Sequence, residues 1–138
     1  MNPRELYERL AEASHTLAVH NDGKTTFFDG RGIADLYRLY REQPELLKGS
    51  AIADKIVGKG AVALMIAGGV TRLYAGTVSR GALELLRTSA VDTEFEQATD
   101  HIINRSGDGW CPVERLCRDC HDATECIEKI DEFMNRKG

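Results

Sequence analysis

Residues 50–75, SAIADKIVGKGAVALMIAGGVTRLYA, decide the fold. The apolar run at 50–53 is typical of a buried parallel strand. Asp54 follows at what we interpret as the N-cap of a helix over 56–66, which ends at a glycine pair. A second strand is predicted over 70–75. Strand, helix and strand in this order indicate an α/β protein.

The segments on either side extend this alternation. The further predicted helices lie at 2–13, 33–40 and 79–86, and the further predicted strands lie at 15–20, 25–28 and 93–95. The first two of these strands are joined by Asn21-Asp22-Gly23, a hairpin turn signal. We therefore predict an α/β fold, specifically a three-layer α/β/α sandwich with a mixed sheet. All residues from 1 to 138 are predicted to form a single domain.

Composition and charge limit the classes of function. The 138 residues are 42% hydrophobic and 29% charged, which is typical of a soluble globular protein, with a net charge of −4. Because there is no basic stripe, we expect no nucleic-acid partner. The polar start argues against a secretory signal peptide, and the most apolar stretch, 61–70, is too short to span a bilayer. We therefore expect a cytoplasmic protein that does not associate with membranes.

Residues 104–138 are predicted to form a Cys-rich helical tail. It holds all the cysteines of the chain, namely Cys111, Cys117, Cys120 and Cys126. The C-x-x-C within this set is the local chelate of zinc and iron–sulfur sites, and cytosolic thiols stay reduced. The tail therefore indicates a four-thiolate metal site. The spacing does not choose between zinc and an iron–sulfur cluster, and four thiols without a metal are the alternative.

Cys111 has a second interpretation. It precedes Pro112 and lies three residues before Glu114, so it is predicted at the N-cap of a helix whose first residue is proline. A helix N-terminus lowers the pKa of a thiol, which suits a nucleophile. No histidine can be paired with it from the sequence, so metal ligation is the favoured role.

A second group of polar residues lies at the predicted junction of strand and helix. In α/β sheets this junction is where ligand sites are found. Lys55 and Lys59 are one helical turn apart, and together with free backbone N–H groups they would hold a phosphate or carboxylate. Gly58 and Gly60 would permit close approach of the backbone. In the alternative interpretation Asp54 is only an N-cap and both lysines are solvated.

Motifs spread along the chain are similar to those of a known family. They are Asp54-Lys55-x-x-Gly58-Lys59, Tyr74-Ala75-Gly76 with Ser79, and Ile103-Asn104-Arg105-x-Gly107-x-Gly109-x-Cys111-Pro112-x-Glu114. Over residues 5–130 the chain resembles the uncharacterised family called domain of unknown function 1893. This resemblance implies a cytidine-deaminase-like fold and no established activity. It also implies that Cys111 belongs to the general family pattern, whereas the other three cysteines are an addition.

The catalytic motifs of zinc deaminases are absent. Those enzymes carry H-x-E at the start of one helix and P-C-x-x-C at the start of the next. None of the four histidines here is followed two residues later by glutamate, and the C-x-x-C lacks the preceding proline. We therefore expect a protein that is not a zinc-dependent deaminase.

In place of a zinc site, the resemblance implies a polar pocket for an anionic or nucleotide-like small molecule. Its predicted ligand-binding residues are Arg31, Asp54, Lys55, Lys59, Asn104 and Arg105. The sequence does not decide whether the protein is an enzyme; if it is, the candidate catalytic residues are Asp54, Lys55, Cys111 and Glu114. The alternative function is an iron–sulfur or zinc-binding redox or regulatory module built on the four cysteines. The oligomeric state is open.

Overall fold

A five-stranded mixed sheet forms the centre of the protein in a computed structural model that describes residues 2–30, 33–104 and 106–137. The strands are β1 (Leu17–Asn21), β2 (Lys24–Phe28), β3 (Ala51–Val57), β4 (Arg72–Ser79) and β5 (Asp92–Thr99). Their order across the sheet is β2-β1-β3-β4-β5. β1 runs antiparallel to β2 and β3, whereas β3, β4 and β5 are parallel. The predicted α/β class and mixed sheet are confirmed.

Helices cover both faces of this sheet. The described residues form α1 (Pro3–Glu12), α2 (Ala34–Glu42), α3 (Pro44–Leu47), α4 (Lys59–Gly68), α5 (Arg80–Arg87), α6 (Pro112–Cys117) and α7 (Ala123–Lys137). On one face α1 packs Leu6 and Leu10 against Ala18 and Ala53. On the other face α2, α4 and α5 contribute to the larger core, and α7 packs against α4. Because α4 is apolar on all sides, it needs cover from both the sheet and the tail.

The β1–β2 hairpin has the turn that its sequence predicts. Asp22 and Gly23 both have positive φ, at 52° and 74°. A two-residue turn with positive φ at both central positions matches the twist of the flanking strands, and Asp-Gly is a preferred pair there.

The predicted N-cap at Asp54 is wrong. Asp54 lies within β3, paired with Leu17 of β1 on one side and with Ala75 of β4 on the other. Pairing on both sides extends β3 to Val57, so α4 begins only at Lys59, with Gly58 as its N-cap. The predicted cap at Ser79 is confirmed, because its Oγ accepts the N–H of Ala82 at 3.2 Å.

In the described part of the chain, no helix has the length and hydrophobicity needed to cross a membrane.

Candidate functional site

A cavity of about 180 Å³ lies at the carboxyl ends of the parallel strands. β3 leads into α4 and β4 leads into α5, so the N-termini of both helices meet there. They are close: a Cβ on Gly81 of α5 would lie 3.4 Å from Cδ of Lys59 in α4. The cavity is lined by Lys59, Arg80, Gly81, Glu84, Asp100, Trp110, Glu114 and Arg118. This edge of a parallel sheet is where α/β proteins bind ligands.

A carboxylate from the tail closes the N-terminus of α4. Glu114 is only 5% exposed. Its Oε1 accepts the N–H of Lys59 at 2.9 Å, and its Oε2 accepts the N–H of Ile102 at 2.7 Å. Gly58 has no side chain with which to cap the helix, so the carboxylate satisfies an otherwise orphaned N–H and favours the positive end of the helix dipole. The anion expected here is therefore supplied by the chain itself.

Gly58 and Gly60 lack side chains and so leave room for the tail to pack against the start of α4. A Cβ on Gly58 would lie 3.1 Å from Oε1 of Glu114, and one on Gly60 would lie 2.5 Å from Cγ1 of Val113. The space beside both glycines is filled by side chains of the chain itself, and close approach to a ligand there stays a prediction. The tail is thus fitted into the core at the base of the cavity.

Lys59 carries a buried positive charge beside the cavity. It is 9% exposed, and its Nζ donates to the backbone carbonyls of Arg118 and Cys120. Among the described residues no carboxylate forms an ion pair with this ammonium group. Its direct hydrogen-bond partners are therefore backbone carbonyls, while the lining of the cavity as a whole has three basic and three acidic side chains.

The mouth of the cavity combines two arginines with an aromatic wall. Asp100 accepts a hydrogen bond from His101 and pairs with Arg80 at 3.1 Å, and these two interactions together lower the pKa of the Asp100 carboxyl. His101 stacks on Trp110, with ring centroids 4.2 Å apart. The guanidinium of Arg118 lies 5.4 Å from the centre of the same indole. Arg80 and Arg118 are 71% and 57% exposed at the side chain, so both can reach a solute.

The other predicted binding residues that the structure describes, Asp54, Lys55 and Asn104, do not line this cavity. Asp54 and Lys55 are in β3, and Asp54 shares the sheet face of Leu17 and Ala75. Burial raises the pKa of Asp54 to about 8, although the neighbouring backbone N–H groups act in the opposite direction. Asn104 is used locally, because its Oδ1 accepts the N–H of Gly107 at 2.9 Å.

Two predicted ligand residues, Arg31 and Arg105, lie outside the described residues. Of the predicted ligand set, Lys59 lines the cavity, as does Glu114 from the catalytic candidates. Sequence reasoning missed Arg80, Trp110 and Arg118. Arg80 could have been predicted from the sequence, because it follows a strand and the N-cap Ser79. This is the same kind of strand-to-helix junction as the one at which Lys59 was predicted.

Three of the four cysteines come together inside the tail. Cys117, Cys120 and Cys126 are buried, and the Cys126 thiol interacts with both of the others. Hydrogen bonding with Cys117 and burial raise the pKa of Cys126, and burial raises the pKa of Cys120 to about 11. Buried thiols of this kind pack as small apolar groups.

Cys111 is half-buried at the N-cap of α6, as predicted, and its own side chain makes no capping hydrogen bond. Across the ranges that the structure describes, no group of three or more His, Cys, Asp or Glu side chains has an arrangement that could hold a metal ion. The four-thiolate site stays a prediction.

Comparison with known proteins gives a family and a fold. The family model described as domain of unknown function (DUF1893) matches residues 5–134. Among solved structures, the chain is similar to a DUF1893 family protein from Thermotoga maritima, with a TM-score of 0.84 and 21% identity. The match covers 94% of this chain and 87% of that one. Among curated proteins, none matches.

Proposed function

This chain belongs to the DUF1893 family, whose description names no activity. From the site we propose that it binds an anionic or nucleotide-like small molecule in the cavity at the N-termini of α4 and α5. The observation that carries this proposal is the buried ammonium group of Lys59, which has backbone partners and no carboxylate partner among the described residues. A buried cation is costly unless it is paired. A ligand anion in the cavity would supply that pairing.

The lining has three basic side chains, Lys59, Arg80 and Arg118, and three acidic ones. Two of its carboxylates are already engaged, Glu114 by backbone N–H groups and Asp100 by Arg80 and His101, and the third, Glu84, is exposed to solvent. Arg118 has only a distant carboxylate, Asp119 at 3.8 Å. The guanidinium groups would bind phosphate or carboxylate through paired hydrogen bonds.

The size of the cavity limits the ligand. Its volume of about 180 Å³ is below the roughly 300–1,000 Å³ of pockets that enclose drug-sized molecules. It would therefore hold the anionic group and one ring or sugar, with the remainder of the ligand in solvent. Trp110, whose indole is already stacked by His101 and approached by Arg118, lies beside that group in the lining.

We also propose that the scaffold is cytidine-deaminase-like without zinc-dependent deamination. The mixed sheet, with α4 entering from the carboxyl end of β3, supports the scaffold. Where a deaminase has P-C-x-x-C at a helix start, α4 starts with Gly58 and Lys59. That helix start therefore lacks the zinc-ligand motif, and its first N–H group is capped by the carboxylate of Glu114.

Thermal unfolding with a panel of ligands tests the anion site. The panel is phosphate, pyrophosphate, AMP, CMP and citrate. Binding to the native state alone should raise Tm by an amount that grows with ligand concentration. Arg118→Gln should remove this rise. Arg87→Gln, an exposed arginine at the far end of α5, is the matched control and should retain it. Equal stabilisation of both variants, or no stabilisation by any member of the panel, would contradict the proposal.

A metal-binding tail is the second candidate function. The contact between the buried thiols of Cys117, Cys120 and Cys126 supports it, with Cys111 as the remaining thiol of the tail, although metal binding would require these side chains to rearrange. Zinc there would be structural, whereas an iron–sulfur cluster would also carry electrons. Elemental analysis and a visible spectrum of protein purified without oxygen would distinguish the two metals. A metal content that persists in Cys111→Ser would assign the site to the three buried thiols.

A further inference from the structure

β5 is the most exposed strand of the sheet. Every residue in it except Thr93 and Thr99 is exposed, whereas its parallel neighbour β4 is buried apart from Arg72 and Thr77. Parallel strands normally have both faces covered. β5 therefore lacks the cover that a parallel strand usually has over six of its eight residues.

The outer edge of β5 is open for pairing. In the described sheet it pairs with β4 alone, so its outward backbone N–H and C=O groups have no strand partner. Residues 92–99 contain no proline and no lysine, which are common protections of an edge strand. The opposite edge, β2, is shorter at five residues and is half-buried along most of its length.

The two faces of β5 differ in chemistry. Asp92, Glu94 and Glu96 alternate along the strand and therefore share one face. Tyr74, which donates to Glu96 at 3.3 Å, marks that face. Phe95 points to the other face and is 43% exposed. Among the described residues neither Asp92 nor Glu94 forms an ion pair.

We propose that β5 is a docking edge for an extended basic segment of another protein, which adds a sixth strand to the sheet. Backbone hydrogen bonds along the open edge would supply affinity, as in other cases of strand addition. Lysine or arginine at alternate positions of the segment would face Asp92 and Glu94. Apolar residues between them would cover Phe95.

A second copy of this chain fits the edge less well. Two antiparallel β5 strands related by an axis perpendicular to the sheet would place residues of the same face opposite each other. The carboxylates of Asp92, Glu94 and Glu96 would then face carboxylates of the copy. Like charges directly opposite each other across a strand pair are destabilising. The negative charge of β5 therefore favours a basic segment of another protein over a second copy of this chain.

A synthetic peptide of alternating lysine and valine, matched to the eight residues of β5, tests this docking edge. Fluorescence anisotropy should show saturable binding, and amide shifts in ¹⁵N–¹H spectra should concentrate in residues 92–99. The matched peptide carries N-methyl groups at alternate backbone nitrogens. It keeps every charge but cannot pair, and it should bind about tenfold or more weakly.

Two protein variants complete the experiment. Glu94→Lys should weaken peptide binding by about tenfold or more, because it puts a like charge opposite the peptide. Glu128→Lys on the exposed face of α7 changes the net charge equally and should leave binding unchanged. Equal binding of the N-methylated peptide, equal affinity in Glu94→Lys, or self-association through the amides of β5 would each overturn the proposal. The cavity ligands are absent from this experiment, so its outcome is independent of the proposed anion site.

Discussion

The helices α4 and α5 start side by side at the same edge of the sheet, and they are capped in opposite ways. α5 is capped by its own flanking residue, Ser79, whose Oγ accepts the N–H of Ala82. α4 has Gly58 at its N-cap and receives the carboxylate of Glu114, which is 55 residues away from Lys59 in sequence. One helix end is thus a local feature, and the other depends on docking of the tail. The tail is therefore part of the core and of the cavity floor.

The largest effect is expected from removing the distant cap. Glu114→Ala should lower the free energy of unfolding by about 2–5 kcal/mol, because it leaves the buried N–H group of Lys59 and the part-buried N–H group of Ile102 unpaired. Glu114→Gln keeps the shape and one acceptor oxygen, so its loss should be smaller. Urea unfolding monitored by circular dichroism gives both values. Wild-type stability in Glu114→Ala would show that the tail does not cap α4.

Removing the ammonium group that ties α4 to the tail should have the next largest effect. Lys59→Met retains the aliphatic stem but leaves the carbonyls of Arg118 and Cys120 without their donor, at a cost of about 1–3 kcal/mol. Lys55→Met, a half-buried lysine in β3, is the matched control and should change stability by less than about 0.5 kcal/mol. The same unfolding experiment applies, and equal losses in the two variants would contradict the assigned role of Lys59.

Asp54, in the strand that leads into α4, should also make the free energy of unfolding depend on pH. The pKa of Asp54 rises from 3.8 to about 8 on folding. The native state then binds more protons than the unfolded state between these values, so stability falls as pH rises from about 4 to 8, with a slope of at most about 1.4 kcal/mol per pH unit. Asp54→Asn should remove this part of the slope. Tm measured from pH 5 to pH 8 checks it. In β4 the matching position is Ala75, so no such group precedes α5.

The smallest effect is expected at the local cap. Ser79→Ala should cost about 1 kcal/mol, the usual cost of losing a side-chain cap. Chemical unfolding should place this variant between the wild type and Glu114→Ala. A loss as large as that of Glu114→Ala would remove the distinction between the local cap and the distant one.

Sequence reasoning succeeded where the cause was local. The turn at Asp22-Gly23 and the cap at Ser79 depend on neighbouring residues, and both are confirmed. It failed at Asp54, because pairing with strands on both sides continued β3 through a position that resembles an N-cap.

The cavity residues divide in the same way, into those placed by local sequence and those placed by long-range packing. Lys59 and Arg80 follow strands at helix starts, which a local pattern can find, although only Lys59 was found. Trp110 and Arg118 reach the cavity because the tail folds back over it, and no spacing in the sequence encodes that return. The role of Glu114 as a cap is of the same kind, since it joins parts of the chain far apart in sequence.

Trp110 is the single tryptophan of the chain and lines the cavity, so its emission reports directly on anion binding there. We would titrate pyrophosphate and AMP into the wild type, Arg80→Gln and Arg87→Gln while recording tryptophan fluorescence. Binding in the cavity predicts a saturable change in the wild type and in Arg87→Gln that is lost in Arg80→Gln. A ligand that raises Tm without changing Trp110 emission, or an identical titration in Arg80→Gln, would contradict an anion site in this cavity.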